Sequence, residues 1–280
     1  RSAKRIIRDF NPDVAIGVGG YASGPILREA ARNGIAVMIQ EQNSYAGVTN
    51  KLLAKYASKI FVAYDRMDKY FSLKNIVFTG NPVRQDIIDC AEKRKEASIY
   101  FELDPARKTI LVIGGSLGAR TINESVLNGL VEMDENIQLL WQTGKLYHDK
   151  IDQALKRSSP GNVKIFPFIK RMDLAFGLSD LIISRAGAGT ISELAIVGKP
   201  VILVPSPNVA EDHQTKNAMA LVQQNAAMHI PDSKADRVLM KEALRIIHDE
   251  KTRNKLSENI KRLAIPDAAD RIASEILKSI

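Results

Sequence analysis

Ser184-Arg185-Ala186-Gly187-Ala188-Gly189-Thr190-Ile191-Ser192-Glu193 follows an apolar strand, Leu181-Ile182-Ile183, and opens a helix. A strand-to-helix turn of this composition suits an anion. Glycines let the backbone approach closely, the unpaired N–H groups of the first helical turn point at the ligand, and the positive end of the helix dipole favours its charge. Glu193 falls about one turn into that helix, within reach of sugar hydroxyls beside a phosphate, so the reading extends from phosphate capture to a nucleotide sugar. Taken alone, the segment serves equally well as a tight turn in an α/β domain.

Two further turns of the same kind lie upstream. Asp13 to Val18 reads as a strand that runs through Gly19-Gly20-Tyr21-Ala22-Ser23-Gly24-Pro25 into a helix. Lys108 to Ile113 is another strand, followed by Gly114-Gly115-Ser116-Leu117-Gly118-Ala119-Arg120 and a helix from Thr121. Each turn alone is structural punctuation. Together they imply a cleft lined by the carboxyl ends of parallel strands, where open α/β sheets bind ligands.

Alternating strands and helices continue on both sides. Strands are expected near 108–113, 137–142, 163–167, 180–183, 200–204 and 227–230, with helices near 120–132, 146–157, 171–177, 188–197 and 213–224 between them. This is the pattern of a doubly wound parallel sheet. Earlier strands fall near 13–18, 35–39, 59–63 and 75–79, with helices near 24–33 and 46–56. Gly80-Asn81-Pro82-Val83-Arg84 and the polar helix rich in Lys and Glu that follows it, Glu92 to Glu96, read as an interdomain connection. Helices near 234–262 are followed by Ile265-Pro266-Asp267, which breaks the run before a last helix, Ala268 to Lys278. The chain opens without methionine on a helical pattern already under way, Arg1 to Phe10, so the expectation is that the first sheet lacks its first strands.

Composition bounds the function. A chain of 280 residues has room for two domains, and 45% apolar with 26% charged residues is ordinary for a globular protein. The one cysteine, Cys90, cannot form an internal disulfide, which fits a reducing compartment. No apolar run approaches the ~18 residues of a membrane span, and no signal-peptide pattern is present. Forty basic against thirty-two acidic side chains leave +8, which suits a pyrophosphate, a nucleic acid or an acidic membrane surface as partner.

The motif blocks resemble the MurG family, the glycosyltransferases that add N-acetylglucosamine to lipid I to make lipid II in peptidoglycan synthesis. The matching blocks are Gly19 to Pro25, Glu41-Gln42-Asn43 with Ala46-Gly47 and Thr49-Asn50-Lys51, Gly80 to Arg84, Gly114-Gly115-Ser116, Arg185 to Glu193, His213-Gln214 with Asn217-Ala218, and Ile265 to Ala268. They run in the family's order over nearly the whole chain. The resemblance implies an α/β GT-B fold of two Rossmann-like doubly wound parallel-sheet domains, the first truncated at its N-terminus. Residues 1–84 would form the later part of an acceptor- and membrane-facing domain, 85–264 a domain binding the donor UDP-N-acetylglucosamine, and 265–280 a helix packing back toward the first domain.

Carried over by position, the resemblance gives Glu193 the ribose hydroxyls, and Ala188, Gly189, Thr190, Ile191 and Ser192 the backbone around uridine and diphosphate. Ile169 would meet the uracil edge through its main chain. Ser116 would donate toward a phosphate or cap the following helix. Arg84 would face the nucleotide, with a surface salt bridge as the alternative. Asn43 and Gln214, amides that both donate and accept, would hold hydroxyls of the donor sugar, with Tyr21 and Gln42 on the acceptor side. Two positions depart from the family: Gln40 stands where histidine is usual, and Leu117 where glutamine is common.

The implied chemistry is inverting attack by the C4 hydroxyl of N-acetylmuramic acid on the donor's anomeric carbon, with departure of UDP. N–H groups and a helix terminus would stabilise the leaving diphosphate. No Asp-x-Asp occurs and His148, His213, His229 and His248 are scattered, so no cofactor and no catalytic metal are expected. Glu41 is the best carboxylate for a general base, although a role in orienting the Gln42-Asn43 loop is the stronger reading, and the family's favoured acceptor-side histidine would lie upstream of Arg1. Arg1, Lys4, Arg5 and Arg8 share a helix with Ile6, Ile7 and Phe10, and Lys51 and Lys55 flank Leu52 and Leu53, as in segments resting on anionic lipid. The family's lipid-linked acceptor favours that reading over a solvated helix face, and implies a peripheral protein on the cytoplasmic side of the bacterial plasma membrane. No nucleic-acid motif accompanies the charge. Two rivals stay open: a UDP-sugar-binding fragment inactive by itself, and a UDP-N-acetylglucosamine epimerase of the same fold.

Overall fold

The computed structural model describes residues 1–158 and 161–279. The chain divides into two compact units, residues 1–83 with 265–280, and residues 84–264.

In the first unit α1 (Ser2–Phe10), β1 (Val14–Gly17), α2 (Ser23–Arg32), β2 (Ala36–Glu41), α3 (Val48–Leu53), β3 (Lys59–Val62) and β4 (Ile76–Phe78) follow one another. The four strands form a parallel sheet in the order β1-β2-β3-β4. Val37, Met38 and Ile39 of β2 are all buried, as expected of a strand covered on both faces, and Ile7, Leu27, Ile60 and Phe71 pack into the same core. The C-terminal helix belongs to this unit. Its Glu275 accepts from Lys59 Nζ at the start of β3, at 2.8 Å through the carboxylate and 2.9 Å through the main-chain carbonyl. Lys278 and then Lys59 draw the Glu275 carboxyl down to about 2.

The second unit contains α4 (Arg94–Phe101), β5 (Lys108–Ile113), α5 (Arg120–Gly129), β6 (Ile137–Gln142), α6 (His148–Ser158), β7 (Val163–Phe166), α7 (Met172–Leu178), β8 (Leu181–Ser184), α8 (Ala188–Val197), β9 (Val201–Leu203), α9 (His213–Val222), β10 (Met228–His229), α10 (Ala235–His248) and α11 (Glu250–Lys261), before α12 (Ala268–Leu277) returns the chain to the first. Its six parallel strands lie in the order β10-β9-β8-β5-β6-β7. The chain winds from β5 to one side through β6 and β7, then returns to the other side of β5 with β8. The switch point therefore lies between β5 and β8, where doubly wound sheets open a crevice at their carboxyl ends. Ile110, Leu111 and Val112 are fully buried, and Trp141 donates from Nε1 to Asn123 Oδ1 at 3.0 Å, so its indole is satisfied inside the core.

The polar stretch read as a connection is packed into the second unit. Helix α4 starts at Arg94, whose guanidinium donates to the carbonyls of Leu178, Arg107 and Pro105 and to both Asp180 oxygens at 3.0 and 3.2 Å. A long basic side chain looks solvated in sequence; here it anchors a helix to the strand ends.

Candidate nucleotide-sugar site

Helix α5 has Ala119 and helix α8 has Gly187 in the N-cap position, and neither receives a side-chain capping hydrogen bond. Both first turns thus keep N–H groups for a ligand. They flank the switch point and border a cavity of about 930 Å³ lined entirely by residues of the second unit.

Local backbone conformation shapes one wall. Gly118 has φ +89°, and a Cβ there would lie 2.3 Å from the Thr143 carbonyl oxygen, so only glycine lets this loop rest on residues 143–147. Lys145 N donates to Ser116 O at 3.3 Å across the same contact. Ser116 borders the cavity and is not the helix cap, a position taken by Ala119. Gln142, at the carboxyl end of β6, joins two walls: Nε2 donates to Gly115 O at 3.1 Å, and Oε1 accepts from Ile169 N at 2.9 Å. The Ile169 N–H is therefore engaged within the protein, so a main-chain contact to a base at this residue would fall to its carbonyl.

On the opposite wall, Gly187, Thr190 and Glu193 border the cavity. Ala188 and Gly189 supply first-turn N–H groups, whereas Ile191 is buried and Ser192 Oγ turns back to Ala188 O at 3.1 Å. Arg84 belongs to the second unit and meets Glu193 as a fork, Nε to Oε1 at 2.8 Å and Nη2 to Oε2 at 3.0 Å. The salt bridge anticipated as an alternative for Arg84 is thus part of the cavity wall. Burial works against the Arg84 charge, but the hydrogen bonds and charge of Glu193 outweigh it and raise its pKa. An ionised carboxylate offers about four lone-pair positions. Two remain on Glu193 for a vicinal diol. Gln214 Oε1 accepts from Ala186 N and Ser206 N at 3.2 and 2.9 Å, which leaves its amide hydrogens as donors toward the cavity.

The remaining sequence candidates lie in the first unit. Glu41 is 2% exposed and turned inward: Oε1 accepts from Asn43 N and Oε2 from Gly47 N, both at 3.0 Å, and Asn50 Nδ2 donates to Oε2 at 2.8 Å. A carboxylate held this way orients the Gln42–Gly47 loop, the stronger of its two sequence readings, and its oxygens are engaged rather than presented as a base. Asn43 Nδ2 also reaches Glu41, at 3.4 Å, and Gln42 Nε2 donates to Val18 O at 3.2 Å. Gln40 donates to Asn81 Oδ1 at 2.7 Å, and Asn81 in turn donates to Gln42 O. Tyr21 is 90% exposed beside Gly19 and Gly20, both at positive φ.

Among the cavity residues to which the sequence gave no role are Thr121, Gln142, Arg185 and Asp232. Gln142 and Arg185 stand at strand carboxyl ends, a signal that was readable. Asp232 follows the two-residue strand β10, too short to announce its own end.

Two Rossmann-like units, one with a helix-terminus cavity at its switch point, define the GT-B class. The glycosyltransferase family 28 C-terminal domain matches residues 109–272, and the corresponding N-terminal domain matches residues 1–62. A UDP-N-acetylglucosamine–N-acetylmuramyl-(pentapeptide) pyrophosphoryl-undecaprenol N-acetylglucosamine transferase of Parabacteroides distasonis is 56% identical, over 100% of this chain and 76% of its own length. That of Bacteroides fragilis is 53% identical over 99% of this chain and 73% of its own. The crystal structure of Acinetobacter baumannii MurG superposes with a TM-score of 0.81 at 31% identity, over 99% of this chain and 78% of that one. The chain belongs to the MurG family of N-acetylglucosamine transferases. A UDP-GlcNAc 2-epimerase from Neisseria meningitidis, crystallised with UDP-GlcNAc, reaches a TM-score of 0.70 at 17% identity over 99% of this chain and 79% of its own, a likeness of fold alone.

Proposed function

We propose that this chain transfers N-acetylglucosamine from UDP-N-acetylglucosamine to the C4 hydroxyl of the muramic acid in lipid I, with inversion, giving lipid II and UDP. The carrying observation is the cavity of the second unit, bordered by two uncapped helix N-termini and the Arg84–Glu193 fork, an arrangement that suits a diphosphate and the ribose beside it. Negative charge builds on the departing diphosphate, and fixed N–H dipoles meet it without reorganisation. The reading asks for no metal. Glu41 serves by holding Asn43 and Gly47 in place.

The same reading puts the protein peripherally at an anionic membrane, on the cytoplasmic side, without nucleic acid as partner. It draws on the first unit, where Ile6 and Phe10 are exposed on a helix with Arg5 and Arg8 while Ile7 turns into the core. Leu52 is exposed too, and Lys51 lies 4.8 Å above the Tyr45 ring. Among the described residues no helix is long and apolar enough to cross a membrane.

Calorimetric titration with UDP-N-acetylglucosamine and UDP-glucose, followed by a transfer assay with a lipid I analogue, tests the proposal. Preference for the N-acetyl sugar and acceptor-dependent UDP release are expected. Isomerisation of the donor sugar without acceptor would place the protein with the epimerases instead.

A further inference from the structure

The structure assigns Asp232 as a positioning residue that sets the separation of the two helix N-termini meeting the donor diphosphate. The assignment rests on the donor reading above. Asp232 Oδ1 accepts from Arg185 Nη1 at 2.5 Å, and Oδ2 accepts from Thr121 Oγ1 at 2.9 Å. Arg185 Nη1 also donates to Val204 O and Pro205 O at 2.9 and 3.0 Å. Thr121 lies in the first turn of α5, Arg185 two residues before the N-cap of α8, Val204 and Pro205 just beyond β9, and Asp232 beyond β10. Those segments follow β5, β8, β9 and β10, four adjacent strands of the sheet. One carboxylate therefore ties together the carboxyl ends of four neighbouring strands and, through Thr121 and Arg185, the entries to both phosphate-facing helices.

A carboxylate in an anion-binding cavity otherwise works against its ligand. Asp232 and Arg185 have 17% and 16% side-chain exposure, and both border the cavity. Pairing with Arg185 cancels the Asp232 charge, so the attraction for phosphate comes from the helix termini and from Arg120, which also borders the cavity. Their spacing matters for a ligand with two phosphates, one facing each helix, and much less for a ligand with one. Electrostatics and positioning then make opposite forecasts for loss of Asp232: a simple repulsive charge would, once removed, tighten diphosphate binding, whereas a positioning residue would weaken it.

The experiment is calorimetry of the full chain with UDP and UMP, on the parent and on Asp232→Ala, Asp232→Asn and Thr121→Val. The expected result for Asp232→Ala is a loss of roughly ten-fold or more for UDP with little change for UMP, as when hydrogen bonds to a charged group are lost. Asp232→Asn, whose amide oxygen still accepts from Arg185, should recover part of the loss. Thr121→Val, which removes only the hydroxyl, should show a smaller loss of the same selectivity and keeps the test alive should Asp232→Ala not fold. Equal or tighter UDP binding in the folded variants, or parallel loss of UDP and UMP, overturns the assignment. Failure of the parent to bind UDP would overturn the donor reading itself.

Discussion

Replacing Glu193 by alanine should remove the ribose contact while leaving both helix termini intact. Each hydrogen bond from a ribose hydroxyl to a carboxylate is worth about 1.5–3 kcal/mol, and a vicinal diol makes two. Glu193 keeps 19% side-chain exposure and Arg84 45%, so water replaces part of what is lost and the lower bound applies. A loss near 3 kcal/mol corresponds to a roughly 100-fold weaker Kd. Arg84→Ala leaves the carboxylate but frees its rotamers, an effect of about 1 kcal/mol for a half-exposed pair. If Arg84 serves the ribose through Glu193, its effect should vanish in the Glu193→Ala background, because residues acting through one contact are not additive. Calorimetry with UDP and 2′-deoxy-UDP reads all of this: the parent should discriminate between them, and Glu193→Ala should not. A Glu193→Ala variant binding UDP within about three-fold of the parent would refute the ribose assignment.

Two other expectations concern the first unit. Glu41→Ala strands the Asn43 and Gly47 amides and Asn50 Nδ2, and should cost about 2–4 kcal/mol in urea unfolding of that unit; an unchanged midpoint would mean that the carboxylate does not hold the loop. Glu275 has a depressed folded pKa, so its stabilising effect is complete above its usual value of 4.5 and is lost as the pH falls from there to about 2. The difference in Tm between the parent and Glu275→Gln should be widest at neutral pH and close over that interval, and a difference independent of pH would rule out the lysine contacts as its source.

Much of the architecture was readable because the strands of a covered parallel sheet are continuous apolar runs and the turns after them are glycine-rich. Lys108–Ile113 and Ile137–Gln142 are strands with the bounds expected, and Ala188–Val197 is a helix as read. The polar stretch around Glu92 to Glu96 is helical as read, but what it packs against was not legible, because nothing local shows that Arg94 finds the carbonyls of Leu178, Arg107 and Pro105. For Glu41 the sequence favoured a loop-orienting role over a base, and the fold supplies the partners it could not name, Asn43, Gly47 and Asn50.

The strand–turn–helix units, the glycines that permit close backbone approach and the carboxylate one turn into α8 were all written in the order of residues. These depend on neighbours within a few positions, where residue type governs conformation directly. Which side chains meet came from the folded arrangement. Arg84 reaches Glu193 across 109 positions, Thr121 reaches Asp232 across 111, and Gln142 reaches Ile169 across 27. Such pairings are made by the winding order of the sheet, which places distant strand ends side by side, and no local pattern in the chain carries that information.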